Sequence, residues 1–258
     1  MNRGKGDGLM NLYLLRVGAD STKLGGGFYS HICPDSRSYI FIPIPDEEMY
    51  LVKQDARTYR DYRWRNHLVC EYLPDRIQNR YIHNDPEFKT FTYGSPKCNQ
   101  DGSGEKNYRT LAEIMKKGDM LTFYAAFTSN GHAIHGVYFF AYFIVDHAIP
   151  FGNPDELTKE KKDLVENNHH FIHGKKLPNQ VIVKGCPKQS RVFQKAVLLS
   201  SPEDRVRGNY YPCETIKKML SYNKAMNRAA IRKIPLSADG ICEFKNHLDK
   251  KGGRLQDA

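Results

Sequence analysis

The sequence predicts an α+β fold in which helices flank a strongly bent sheet, mixed or antiparallel, that closes toward a partial barrel. Three observations carry this expectation. First, Met120 to Phe127 and Val137 to Val145 are runs of β-branched and aromatic residues joined by Thr128-Ser129-Asn130-Gly131-His132, whose Asn-Gly pair is the strongest short-range hairpin signal. Second, both runs are apolar on both faces, which suits strands inside a barrel or beneath a helix better than a sheet with one wet side. Third, helical patterns at 105–117, 153–167 and 212–222 supply the flanking layer.

The elements follow in order. Residues 1–9 are Gly-rich and charged, without periodicity, and are expected to be disordered. Met10 opens an apolar run to Val17, a first strand, which ends at Gly18-Ala19-Asp20-Ser21-Thr22 and then Gly25-Gly26-Gly27. The glycine spacing there matches neither a P-loop nor a dinucleotide-binding fingerprint, so no nucleotide cofactor is assigned. Tyr39 to Ile42 is a second strand, and Pro43 and Pro45 force an extended, edge-like exit because neither can donate to a ladder. Residues 74–104 read as a long loop, rich in Pro, Gly, Ser and Asn. Glu105 to Lys117 has helical spacing and stops at Gly118. After Pro150, Asn153-Pro154-Asp155-Glu156 opens a helix with proline suited to its first turn. Val181 to Val183 and Val192 to Leu199 read as strands, Pro212 to Tyr222 as a helix, and Lys224 to Lys233 as a basic stretch. The expected folded unit is a single domain over 10–235, with 250–258 a disordered tail.

The chain has 258 residues and a formal net charge of +10, with a pI of about 9.2. Lys and Arg in excess from Arg57 to Arg254 favour an anionic partner, nucleic acid (DNA before RNA) or a nucleotide. No stretch approaches the roughly 18 uninterrupted apolar residues of a membrane span, and the N-terminus has no apolar signal core, so no membrane partner and a cytoplasmic location are expected. The six cysteines, Cys33, Cys70, Cys98, Cys186, Cys213 and Cys242, are far apart and form no C-x-x-C, which argues against structural zinc.

Two short segments are more specific than composition. Arg16-Val17-Gly18-Ala19-Asp20-Ser21, a Gly-rich loop, then Tyr39-Ile40-Phe41-Ile42-Pro43-Ile44-Pro45-Asp46-Glu47 resemble the start of the third of the nucleotide-modification-associated domain families. Val183-Lys184-Gly185, Ser190-Arg191 and Lys195-Ala196-Val197 are similar to its C-terminal part. The resemblance implies a phage or microbial setting of modified DNA bases rather than a particular reaction. Gly118-Asp119-Met120-Leu121-Thr122-Phe123-Tyr124 is similar to a helix-to-strand junction of the PUA, ASCH and EVE barrels, an analogy of fold alone.

Between Gln54 and Leu73, Arg57, Arg60, Arg63 and Arg65 interleave with Tyr59, Tyr62 and Trp64. Arginines that grip phosphates beside rings that stack on bases suit a nucleic-acid surface, whereas aromatics packed inward beneath solvated arginines would make an ordinary segment. Arg16, Arg57, Arg60, Arg63, Trp64, Arg65, Lys184 and Arg191 are the expected nucleic-acid contacts. Asp20, Ser21 and His170 are the candidate catalytic residues, the last from the group His169, His170 and His173. No residue is assigned to a metal, because no clear carboxylate partner accompanies these histidines. Asp239 to Lys245, an acid followed by Glu243-x-Lys245, would fit a metal-dependent nuclease if it were a strand. The expected function is recognition of a modified base, with an enzyme acting on a nucleotide or DNA base as the alternative.

Overall fold

Alternation along the first strand explains the architecture. In β1 (Met10–Arg16), Leu12 and Leu14 face one hydrophobic core while Tyr13 and Leu15 face another, so the strand is buried on both sides. The computed structural model describes residues 10–19, 28–46, 57–96, 115–129, 134–172, 180–226 and 231–253. Four short strands follow β1: β2 (Ser30–Ile32), β3 (Tyr39–Ile40), β4 (Ile44–Pro45) and β5 (Arg63–Trp64). β5 turns back into β6 (His67–Leu68), and helix α1 (Asp75–Gln78) leads to β7 (Ile82–His83) and β8 (Thr92–Pro96). The long hairpin is β9 (Met120–Thr128) and β10 (Ile134–Phe151). Helices α2 (Lys159–Val165) and α3 (His169–Ile172) precede β11 (Gln180–Gly185) and β12 (Arg191–Ser200). A small ribbon of β13 (Arg205–Val206) and β14 (Asn209–Tyr210), helix α4 (Glu214–Leu220), β15 (Arg232–Leu236) and helix α5 (Ala238–Gly252) complete the described chain.

The fold is mixed α+β, built on a strongly curled half-barrel whose main path runs β15-β1-β9-β10-β11-β8. β1 lies parallel to β9 and antiparallel to β15, and the remaining pairs on that path are antiparallel. β12 joins beside β10, while β2 and β3 extend the sheet past β9. Two cores result. Inside the curl, Phe123 and Phe140 pack with Phe41, Phe88, Tyr39 and Trp64. On the outer side, Tyr124 and Phe139 pack under Ile216 and Leu220 of α4 and Ile241, Phe244 and Leu248 of α5.

The curl has a local cause in β10. Phe139 pairs with Tyr124 and Ala141 with Phe123, so Phe140 is an extra residue between them. Phe140 and Ala141 therefore share the inner core, against the alternation of a flat strand. Such a bulge frees carbonyls that need partners. The Tyr39 hydroxyl donates to Phe140 O at 3.0 Å and Phe193 O at 2.8 Å. Arg65, left-handed at φ 57°, lies 4.7 Å over the Tyr39 ring and donates to Phe193 O and Gln194 O.

Several expectations change. The 74–104 stretch is not one loop: α1, β7 and β8 lie in it, and Glu87 and Thr92 exchange backbone hydrogen bonds across a tight turn after the cis Asp85-Pro86 bond. Asp85, Glu87 and Thr92 within it are buried and hydrogen-bonded, and residues 97–104 lie outside the described residues. β10 continues beyond Val145 through Asp146 and His147 because β11 pairs along it to Phe151. Asp239 to Lys245 is helical, capped by Ser237, which accepts from Gly240 N, so Glu243 and Lys245 do not share the face that a strand would give them. Lys245 instead pairs with Asp249 at 2.8 Å. Lys250 to Gly252 form the last turn of the same helix. Residues 1–9, the 105–114 part of the expected helix and 254–258 lie outside the described residues.

Candidate active site

β4 and β7 form a two-stranded antiparallel pair in which Ile44 faces His83 and Pro45 faces Ile82. Asp46 N continues the pairing to Tyr81 O, which sets the Asp46 side chain diagonally beside His83. Two residues after His83, Asp85 begins the turn into β8. From the far side α3 brings His169 and His170, which follow the fully buried Asn168.

Asn168 joins these pieces. Its side-chain amide donates to Asp85 Oδ1 at 3.0 Å and Thr92 Oγ1 at 3.1 Å, and its Oδ1 accepts from His170 N at 3.0 Å. Asp85 Oδ1 also accepts from Gly94 N at 2.8 Å. β8 passes so close to α3 that a Cβ on Gly94 would lie 2.4 Å from His170 Cδ2, so only glycine fits. The turn is tied down by Glu87, which accepts from Lys89 N and Thr90 N, and by Lys184 of β11, which donates to Thr90 O.

The result is a cluster of three imidazoles and two carboxylates from three distant segments. His83 Nε2 and His170 Nε2 face each other at 3.2 Å, and His170 Nε2 stands 3.7 Å from Asp85 Oδ2. His83 Nδ1 is 3.6 Å from Asp46 Oδ2, and the same oxygen accepts from His169 Nε2 at 2.5 Å. Asp85 is almost fully enclosed, whereas His83 and His170 keep 16% and 19% of their side-chain surface, so the cluster is open on the imidazole side.

The electrostatics divide the roles. Burial works against the charge on Asp46, but hydrogen bonding with His169 and His83 outweighs it and holds this carboxyl well below the usual carboxylate range. Burial pushes Asp85 up to about 8, despite the donors Gly94 and Asn168. Burial also lowers His83, which Asp46 offsets in part, and it lowers His170 strongly, reinforced by His83 and His169. Neutral imidazoles beside carboxylates are the form that ligates metals or exchanges protons. Two sets of residues bring ligand atoms within 4.8 Å of one another: Asp46, His83 and His169, and His83, Asp85 and His170.

Of the residues expected from sequence, His170 lies in this cluster. Asp20, Ser21 and His173 lie outside the described residues. Trp64 is buried, with its ring against Tyr39, Phe41 and Phe88, so it offers no free face to a base. Tyr59 and Tyr62 are buried as well. Arg65 secures the bulge, Lys184 secures the turn, and Arg191 donates to the nearby carbonyls of Lys188 and Ser190. Arg16 is buried at the end of β1, opposite Tyr124. Arg57, Arg60 and Arg63 are exposed. Arg57 O accepts from Ile82 N at 3.0 Å, which lays this basic segment alongside the strand that carries His83.

His169, named in sequence only as a neighbour of His170, lies in the cluster too, whereas Asp46, His83 and Asp85 were not singled out as site residues. The available signal was the His83-Asn84-Asp85-Pro86 run, in which an imidazole and a carboxylate stand two residues apart ahead of a proline. A small pocket is lined by Ala19, Phe28, Ile42, Pro45, Tyr59 and Arg80, among others, and by none of the cluster residues. No helix among the described residues is long and apolar enough to cross a membrane. The model of the family described as nucleotide modification associated domain 3 matches residues 11–242. Neither the curated proteins nor the solved structures contain a match.

Proposed function

The chain belongs to the nucleotide modification associated domain 3 family, and from that premise we propose that it is an enzyme whose reacting centre is the Asp46, His83, Asp85, His169 and His170 cluster. The family's name implies involvement in nucleotide modification. The observation that carries the enzymatic reading is the cluster itself. Burying several ionisable groups together is costly, and five of them gathered at one opening, with Asp46 held low and Asp85 pushed up, exceed what packing β4, β7 and α3 requires. The substrate is a nucleotide, free or within nucleic acid. Exposed Arg57, Arg60 and Arg63, on the segment bonded to β7, supply positive charge for its phosphates. Recognition of a modified base by aromatics of the central strands has less support, because those rings fill the two cores.

The test is a comparison of nucleosides. DNA, RNA and the nucleotide pool of bacteria expressing the chain or its Asp85→Asn variant are digested and resolved by mass spectrometry. A nucleoside of altered mass made by the parent and lost in the variant is the expected result. The same profile from both, or oligonucleotide binding with no altered nucleoside, would remove the enzymatic reading.

A further inference from the structure

We propose that His83 Nε2, His170 Nε2 and Asp85 Oδ2 are the three protein ligands of a divalent first-row transition metal ion, with the His169–Asp46 pair supporting His83 from outside the coordination sphere. The inference deepens the reading above, taking the same cluster, and its test reads metal rather than nucleotide chemistry, so either can fail alone.

Spacing is the first argument. Ligand atoms about 2.0–2.1 Å from a tetrahedral ion stand about 3.3–3.4 Å apart, and neighbours around an octahedral ion stand about 3 Å apart. The 3.2 Å between the two Nε2 atoms is close to such an edge, the 3.7 Å from His170 to Asp85 exceeds it by a few tenths of an ångström, and all three residues bring ligand atoms within 4.8 Å of one another. An imidazole pair sharing one proton would account for the first distance. It would leave Asp85 Oδ2 aimed at the same nitrogen beyond hydrogen-bond reach, whereas one cation serves all three atoms.

The supporting contacts are those that ligands need. Asp85 Oδ1 is fixed by Gly94 N and Asn168 Nδ2, which turns Oδ2 toward the histidines. The backbone of His170 is fixed by Asn168 Oδ1. Asp46 lies 3.6 Å from His83 Nδ1, on the side of the ring away from Nε2, where a carboxylate orients a ligating imidazole and raises its basicity. The alternative set, Asp46, His83 and His169, fits less well. Its 2.5 Å between His169 Nε2 and Asp46 Oδ2 is shorter than the edge between two separate ligands and is the distance of a charge-assisted hydrogen bond.

Two imidazoles and one carboxylate select transition ions over Mg²⁺ or Ca²⁺, which favour all-oxygen sites. Three protein ligands leave coordination positions open, as catalytic rather than structural sites do, and His83 and His170 are not fully enclosed.

The experiment titrates chelator-stripped full-length protein with Co²⁺, followed by visible absorption and by equilibrium dialysis with elemental analysis. Cobalt is chosen because Cys33 and Cys242 are exposed, and thiolate-bound cobalt declares itself by intense charge-transfer absorption. One ion per chain without that absorption is expected. Asp85→Asn, which keeps the oxygen held by Gly94 and Asn168, and His170→Gln should each weaken binding more than the about 10–100-fold of an outer partner. His169→Gln should retain one ion, weakened within that range. Circular dichroism and melting establish that each variant folds. Binding undiminished in Asp85→Asn and His170→Gln, loss confined to Asp46→Asn and His169→Gln, or no stoichiometric binding by the folded parent would each overturn the proposal.

Discussion

Gly94→Ala tests how tightly β8 and α3 are fitted. The added Cβ would sit 2.4 Å from His170 Cδ2 and 2.7 Å from Asn168 Oδ1, where ordinary contact begins near 3.4 Å. One element must move by about 1 Å, and neither has slack. Asn168 is fully buried and hydrogen-bonded to Asp85, Thr92 and His170, and Gly94 N is bonded to Asp85. Overpacking of this kind costs about 1–3 kcal/mol. At about 2–4 °C per kcal/mol for a chain of this size, the expected loss in melting temperature is about 2–12 °C. The displacement also exceeds the roughly 0.5 Å within which a site must be held, so the geometry at His170 should suffer more than the fold. Differential scanning fluorimetry reads the first effect, and the side-chain ¹H–¹⁵N correlation of His170 reads the second. An unchanged melting temperature together with an unmoved His170 signal would refute the claim that glycine is required by close approach.

Other substitutions address the remaining layers. Tyr39→Phe removes the hydroxyl that serves Phe140 O and Phe193 O; Arg65 still donates to Phe193 O, so the loss falls on Phe140 O, and leaving that buried carbonyl unserved should cost about 1–3 kcal/mol, read by urea unfolding; an unchanged midpoint would mean the bulge is not held this way. Leu248→Ala opens a cavity between α5 and the sheet and should cost about 2–5 kcal/mol, whereas a near-neutral result would show that α5 is not part of the cooperative core. Changing Arg57, Arg60 and Arg63 together to Ala should weaken oligonucleotide binding and reduce its log–log salt slope by about 3, with melting little changed; an unaltered slope would place the phosphates elsewhere.

The parts legible in sequence are those with local causes. The β9–β10 hairpin, β1, β11, β12 and α4 show in the run lengths and turn residues, and burial on both faces of the central strands follows from the absence of polar alternation. The bulge at Phe140 was hidden because every residue around it is apolar, so no pattern marks where the phase slips. In the Arg57 to Arg65 segment, backbone geometry sorts the interleaved types: Tyr59, Tyr62 and Trp64 turn inward and Arg57, Arg60 and Arg63 outward. The candidate site was legible only as the His169-His170 pair. Its carboxylates, Asp46 and Asp85, are more than 80 residues upstream and become neighbours through the β4–β7 pairing and the Asn168 bridge, neither of which has a period to read.

The order of the site residues along the chain has a consequence for how the molecule can be taken apart. Asp46, His83 and Asp85 all precede Met115, while Asn168, His169 and His170 all follow it. Cutting the chain between Pro96 and Met115 therefore divides the cluster: one fragment carries both carboxylates and one imidazole, the other the remaining two imidazoles and Asn168, which ties His170 to Asp85. Neither half holds a complete set. Yet β1 lies parallel to β9, and β8 pairs with β11, so the two polypeptides share backbone ladders on either side of the cut. Reassociation of the two polypeptides through these ladders would rebuild the cluster with them, so recovery of the proposed metal binding by a mixed split pair would measure docking of the halves.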